Sequence, residues 1–299
     1  MLFEKPKVGI ALAGGGAKGL AHIGVLKYLK EQDIRIDTIA GTSIGAIVGG
    51  VYSLNPDVSF LEIKARKLVD SEVFQELGLD KFSKEHGGWF TKLKNKLRSS
   101  KIIAETFFKY SLLPKDKTEK IFKSLFGKHT FKEVRIPFAA VALDLYSGED
   151  VIIKEGFLWK AAQASAAIPG IFPPVKMGKK LLVDGGVTAN VPINACIELG
   201  ADVVIAVVFG KEPSPPGDID TAMEVILRSD ELAKLKLFRM LLDRADVVVE
   251  VNLKELHWTD FSEIDFCIEK GIEAAKRSLK KIKEVLKRRY LWRKKLFGR

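Results

Sequence analysis

The pentapeptide Gly41-Thr42-Ser43-Ile44-Gly45 constrains this chain more than any other stretch. It follows the extended-looking run Ile36-Asp37-Thr38-Ile39-Ala40 and precedes the small, apolar run Ala46 to Leu54. Strand, sharp turn and helix in that order predict a nucleophile elbow, a strained turn that lifts a serine hydroxyl above a sheet. The turn drives the serine backbone toward positive φ, and a Cβ at Gly41 or Gly45 would crowd the neighbouring strand or helix. The helix that follows points its first amides at the site and favours developing negative charge there. The same pentapeptide arises by chance in glycine-rich turns, so the rest of the chain has to supply partners for the serine.

Three further segments bear on the elbow reading. Gly14-Gly15-Gly16-Ala17-Lys18-Gly19 comes straight after the apolar strand Val8 to Ala13 and opens a helix carrying Leu20, Ile23, Leu26 and Leu29. Read as G-x-G-x-x-G it fits a dinucleotide fingerprint, with Asp37 near the ~20-residue spacing of a ribose contact. Read as a nest of unencumbered amides it cradles an oxyanion. Only the second reading explains an elbow serine at the end of the very next strand. Further on, Val183-Asp184-Gly185-Gly186 ends another apolar strand, where α/β folds put chemistry, although by itself it also reads as a β-turn. The uncharged run Ala164-Ser165-Ala166-Ala167-Ile168-Pro169-Gly170 takes no chemical role from its residues and reads as a buried connection.

In this order the four segments resemble the patatin-like phospholipase family over about residues 7 to 210. The resemblance implies a Ser-Asp dyad without histidine: Ser43 as nucleophile, Asp184 as base or proton acceptor. It also implies an oxyanion hole from the amides of Gly14, Gly15, Gly16, Ala17, Lys18 and Gly19, with Gly41, Gly45, Gly185 and Gly186 as motif glycines. The family commonly has arginine where this chain has Lys18, which keeps the charge but not the planar fork. No cofactor and no metal are implied; no His, Cys and carboxylate spacing suits zinc, and no acidic loop suits calcium.

The chemistry also stands without the name. A serine hydroxyl needs a base within hydrogen-bond reach, and a carboxylate becomes one if burial raises its pKa or if it receives the proton late. Of four histidines, His86 and His129 fall in the middle region and His22 reads as a helix-packing residue. His257 competes, because Ser43, Asp184, His257 is the chain order of an α/β-hydrolase triad. Only one strand precedes the elbow strand, which is early for that fold.

Strands alternating with helices predict one three-layer α/β unit: a mostly parallel central sheet with helices on both faces. The expected catalytic domain is 1–275, interrupted by a helical cap at 78–130 whose Trp89, Phe90, Phe107, Phe108 and Tyr110 suit an acyl channel or a bilayer. A basic helix at 276–299 completes the expected organisation. Net charge is +11, and Lys276 to Arg299 holds twelve basic residues and one acid, so the remainder is balanced. With Ala275, Leu279, Ile282 and Leu286 at helical spacing, followed by Trp292 and Phe297, that segment suits an anionic membrane surface or a docked helix with a solvated basic face. A nucleic-acid partner is not expected, since no nucleic-acid fold accompanies the charge. Cys196 and Cys267 are expected as free thiols. The uncharged Thr38 to Pro56 is span-like in length, but the elbow explains it. With no secretory signal apparent, the expected location is cytoplasmic, peripheral at the inner membrane surface. The expected substrate is a lipid acyl ester, by hydrolysis or by acyl transfer, since both pass through acyl-Ser43. A membrane-associated binding protein with a vestigial site is the remaining alternative.

Overall fold

The computed structural model describes residues 5–79, 111–210, 219–254 and 256–297. Five parallel strands form the body of one sheet, in the order β3 (Phe138–Asp144), β2 (Thr38–Thr42), β1 (Val8–Leu12), β7 (Val203–Val208) and β8 (Val247–Glu250). The runs in β1, β2, β3 and β7 are buried at every position. Continuous burial is what a parallel sheet with both faces covered demands, and it is why these strands read as unbroken apolar runs.

Helices form the two outer layers. On one face, Ile10, Leu12, Ile39 and Phe138 pack with α1 (Ala21–Glu31), α2 (Ile44–Leu54), α6 (Leu158–Ser165) and α9 (Ile264–Phe297). On the other, Ala11, Ala40, Ala139, Val204 and Ala206 pack with Ile193 and Cys196 of α7 (Ile193–Glu198) and with Phe238 and Leu242 of α8 (Ala222–Leu242). The expected three-layer architecture is therefore present. Between β2 and β3 the chain runs through α3 (Val58–Val69), α4 (Glu72–Gln75) and α5 (Lys115–Phe126).

Three antiparallel strands complete the sheet: β4 (Asp150–Ile153), β5 (Val175–Met177) and β6 (Lys180–Asp184). Their arrangement positions the site. At Ala140 and Val141, β3 is flanked by β2 and β4; at Ala142 and Leu143 it is flanked by β4 and β6. A strand has two edges, so β2 and β6 share one of them end to end. They meet where Thr42 pairs Val141 and Asp184 pairs Ala142. Two segments 142 residues apart in sequence thus finish on adjacent residues of one strand.

The expected boundary at 276 falls inside α9, a single helix of 34 residues. Its apolar stripe docks on the domain: Ala275 and Ile282 are fully buried, and Leu279 and Leu286 pack against the core. Where α9 crosses α1 the backbones nearly touch; a Cβ on Gly24 would lie 1.9 Å from the Ile268 carbonyl oxygen. Arg289 pairs with Asp246 at 3.2 Å and Arg293 pairs with Asp202, which ties the distal half to the ends of β7 and β8. The expected cap at 78–130 likewise overlaps the core, since Phe122 and Phe126 of α5 and the following Phe131 belong to the main apolar cluster. Trp89, Phe90, Phe107, Phe108 and Tyr110 lie outside the described residues, as do His86 and the side chain of Phe297. Cys196 and Cys267 are buried and free. Thr38 to Pro56 is β2 and α2, and among the described residues no helix is long and apolar enough to cross a membrane.

Candidate active site

Ser43 has φ 55° and ψ −125°, off the regions an L-residue prefers, and caps the N-terminus of α2. The elbow is crowded on both sides. A Cβ on Gly45 would stand 2.1 Å from the Leu12 carbonyl oxygen, and one on Gly41 2.3 Å from the Gly45 carbonyl oxygen. Strain of this kind costs on the order of 1–3 kcal/mol and persists only where the surroundings over-determine it. Here they do: the Ser43 amide donates to both the carbonyl oxygen of Ser165 (3.1 Å) and its Oγ (3.0 Å).

Asp184 ends β6 with 3% of its surface exposed, against 8% for Ser43. The Ser43 hydroxyl is near enough to its carboxylate to lower the carboxyl's pKa, and Oδ1 accepts the Gly186 amide at 2.6 Å. Burial pushes the carboxyl up to about 6, against the opposing pull of the Ser43 and Gly186 hydrogen bonds and of the Lys234 charge on α8. A carboxyl with such a value stays ionised at neutral pH yet is a far better proton acceptor than an exposed aspartate. The Asp184 amide is held by the Ala167 carbonyl at 2.9 Å, and Thr42 Oγ1 donates to the Ala189 carbonyl at 2.8 Å.

The glycine loop lies against both groups. A Cβ on Gly14 would sit 2.7 Å from Asn190 Oδ1 and 3.1 Å from Ser43 Cβ. Two of its amides are already committed: Gly14 N–H donates to the Asn190 carbonyl at 3.1 Å, and Ala17 N–H to the Trp258 carbonyl at 2.7 Å. Lys18 and Gly19 continue a 3-10 turn, Gly16–Leu20. Among the described residues no main-chain acceptor takes the Gly15 and Gly16 amides. Lys18 is half-buried beside Cys267 and His257, and burial lowers its pKa.

The dinucleotide reading fails on position. Asp37 precedes β2 and accepts the Val8 amide at 2.8 Å, at the N-terminal edge of the parallel strands. The glycine loop follows β1 at the opposite edge. Among the described residues no histidine is bonded to Ser43 or Asp184. His22 is wholly buried; Nε2 meets the Ala13 carbonyl oxygen at 2.8 Å, and burial lowers its pKa to about 4, so the ring is neutral. His257 is turned to Thr259 Oγ1 at 2.7 Å, and His129 to Glu133 at 2.7 Å. Among the described residues no cluster of His, Cys and carboxylates could hold a metal.

An apolar cleft is lined in part by Ser43 and Gly16. Ile47 of α2, Leu68 and Phe74 from the α3–α4 region, Phe122 of α5, Ile168 and Trp258 represent its walls. Ser43 and Thr118 are its hydroxyl-bearing lining residues, and Thr118 spends its hydroxyl on the Lys115 carbonyl. Such a cleft, lined almost wholly by apolar side chains with Ser43 among them, suits an aliphatic chain joined to a polar reacting centre. The sequence reading missed Ser165, Ala167 and Trp258, which act through main-chain contacts that no residue type announces.

Comparison with known proteins agrees with this geometry. An uncharacterized NTE family protein of Mycobacterium tuberculosis is 28% identical, over 91% of this chain and 46% of that protein. A second such protein from the same species is 30% identical over 81% of this chain and 61% of that protein. The neuropathy target esterase sws of Drosophila melanogaster is 29% identical over 69% of this chain and 13% of that protein. The chain thus spans about half the length of the first two and a small part of the third. A family model described as patatin-like phospholipase matches residues 10–197, which include the glycine loop, the elbow and Asp184. This chain belongs to the patatin-like phospholipase family.

Proposed function

We propose that the protein is a serine acyl-ester hydrolase acting on phospholipids or lysophospholipids through Ser43 and Asp184. One arrangement carries the reading: the strained Ser43 hydroxyl acts on the buried Asp184 carboxyl, whose pKa burial raises to about 6, and Ser43 lines an apolar cleft. The lipid class is supported by that cleft and by the family.

The acyl chain lies in the cleft and brings its ester carbonyl to Ser43. As Oγ attacks, its proton passes to Asp184, and the carbonyl oxygen becomes an oxyanion. The Gly15 and Gly16 amides face that charge; preorganised donors of this kind are worth about 3–4 kcal/mol each in comparable sites. Collapse expels the alcohol, which takes the proton from Asp184, and leaves acyl-Ser43. Water then attacks with Asp184 again as base, releasing the acid and restoring the serine. A thiol or alcohol in place of water would make the same site an acyltransferase.

Membrane contact belongs to the same proposal, but its location narrows. The stripe at Ala275, Leu279, Ile282 and Leu286 is spent on the core, so within the described part of α9 it is the outward cations and the exposed Leu291 and Trp292 that can meet an anionic surface.

The test is hydrolysis of p-nitrophenyl esters from butyrate to palmitate by wild type, Ser43→Ala and Asp184→Asn. Turnover by wild type with both variants silent is the expected result. An inert wild type, or an active Ser43→Ala, would remove the hydrolase reading.

A further inference from the structure

The segment Ser165-Ala166-Ala167 closes α6 and is buried throughout. Within three residues it touches both halves of the dyad. Ser165 accepts the Ser43 amide on its carbonyl oxygen and on Oγ, and the Ala167 carbonyl accepts the Asp184 amide at 2.9 Å. Ser165 Oγ also donates to the Val141 carbonyl at 2.5 Å. Val141 is the β3 residue paired with Thr42, and its neighbour Ala142 is paired with Asp184. The Ser165 hydroxyl therefore links the strand on which β2 and β6 meet to the amide of the strained turn.

We infer that Ser165 is a positioning residue, whose hydroxyl fixes the Ser43 turn at the reach of Asp184 and so sets the nucleophile–carboxylate contact. The inference rests on the Ser43–Asp184 reading. Its physical basis is over-determination. The Ser43 conformation is one that an L-residue leaves when it can, and α2 gives its amide no acceptor, because the first amides of a helix have none. The Ser165 carbonyl alone would hold that amide through one bond. The hydroxyl adds a second and anchors it to β3. Its removal orphans the buried Val141 carbonyl and halves the support of the turn. The elbow then relaxes, Oγ drifts from the carboxylate, and attack slows, since displacements near 1 Å cost about 100-fold.

A purely structural serine would lower stability alone. A positioning serine also alters the acid. The Ser43 hydrogen bond holds the Asp184 carboxyl below the value that burial alone would impose, so its loss raises that pKa. Lys234 of α8 is the other side chain acting on Asp184, and the substitution leaves it unchanged.

The experiment compares wild type, Ser43→Ala, Ser165→Ala, Ser165→Thr and Ser53→Ala on one soluble ester across pH, with a thermal melt for each. Ser53 is a fully buried serine whose hydroxyl has no partner among the described residues, and it controls for loss of a buried hydroxyl. For Ser165→Ala the expected kcat loss is about 10- to 100-fold with KM within about two-fold of wild type. The acid limb of its pH–rate profile moves to higher pH, Ser165→Thr recovers most of the rate, and Ser53→Ala leaves the limb in place. A kcat near wild type, or a loss matching the unfolded fraction with the limb unmoved, overturns the inference. Should Ser165→Ala not fold, Ser165→Cys, similar in size but a poor acceptor, is read by the same criteria. If Ser43→Ala is silent while Ser165→Ala is intact, only this inference falls; if wild type is silent, the hydrolase reading falls and takes the inference with it.

Discussion

The candidate active site has two halves built from different materials. Around Ser43 and Asp184 the support is main chain: the Ser43, Asp184, Gly14 and Ala17 amides each have a named carbonyl acceptor. The cleft is side chain, contributed by Ile47, Leu68, Phe74, Phe122, Ile168 and Trp258 from well-separated segments. Main-chain hydrogen bonds tolerate little displacement and few residue types, whereas an apolar wall accepts any side chain of suitable volume. The first half should therefore fail abruptly under substitution and the second should retune.

The sharpest break concerns the dyad. Ser43→Ala and Asp184→Asn should each reduce kcat by at least about 1000-fold, measured on a short soluble ester. Asp184→Asn should also stabilise the fold. The Asp184 carboxyl titrates near 6 when folded and near 3.9 in an unfolded chain, so between these values the native state holds more protons and stability falls as pH rises. Removing the charge recovers on the order of 2 kcal/mol at neutral pH, seen as a higher Tm for the variant than for wild type. Equal or lower stability would mean that the carboxylate is compensated more fully than its surroundings indicate.

The pH profile sharpens the comparison from the same residue. Activity should rise through about pH 6 as Asp184 ionises, and no limb should follow His22, which stays neutral above about 4. A limb near 6 that vanished in His257→Ala would return the site to a triad.

The apolar half should respond in preference rather than in rate. Ile121→Trp, filling the cleft wall, should lower kcat/KM for the palmitate ester by about 10-fold relative to the butyrate ester, with butyrate turnover nearly unchanged. Parallel loss on both esters would show that the two halves are mechanically one. Smallest of all, Arg293→Ala breaks the contact between α9 and Asp202. It should cost about 0–1 kcal/mol, less at high salt, with kcat untouched, as judged by melts at two ionic strengths.

What could be read in the chain follows the same division. Gly41, Ser43, Gly45 and the glycines from Gly14 to Gly19 announce themselves because only certain residues fit a strained turn or a close backbone approach. The parallel strands announce themselves because burial on both faces requires unbroken apolar runs. Asp184 could be named as a candidate from its place after an apolar strand and before two glycines. Its meeting with Ser43 needed the antiparallel turn of β6 onto the edge of β3 that β2 leaves free, a pairing with no local signal. The role of Ser165 was invisible for the same reason, since hydrogen bonds to main-chain carbonyls leave no trace in residue type. The basic C-terminal segment suits a membrane surface and a docked helix alike, because one amphipathic stripe serves either purpose and the two are compatible. The tertiary structure shows the stripe itself docked, with Ala275 and Ile282 packed against the core. Sequence alone determined which residues can do the chemistry and what backbone they require. The fold decided which of them meet, because pairing between distant strands depends on the whole sheet and not on any segment within it.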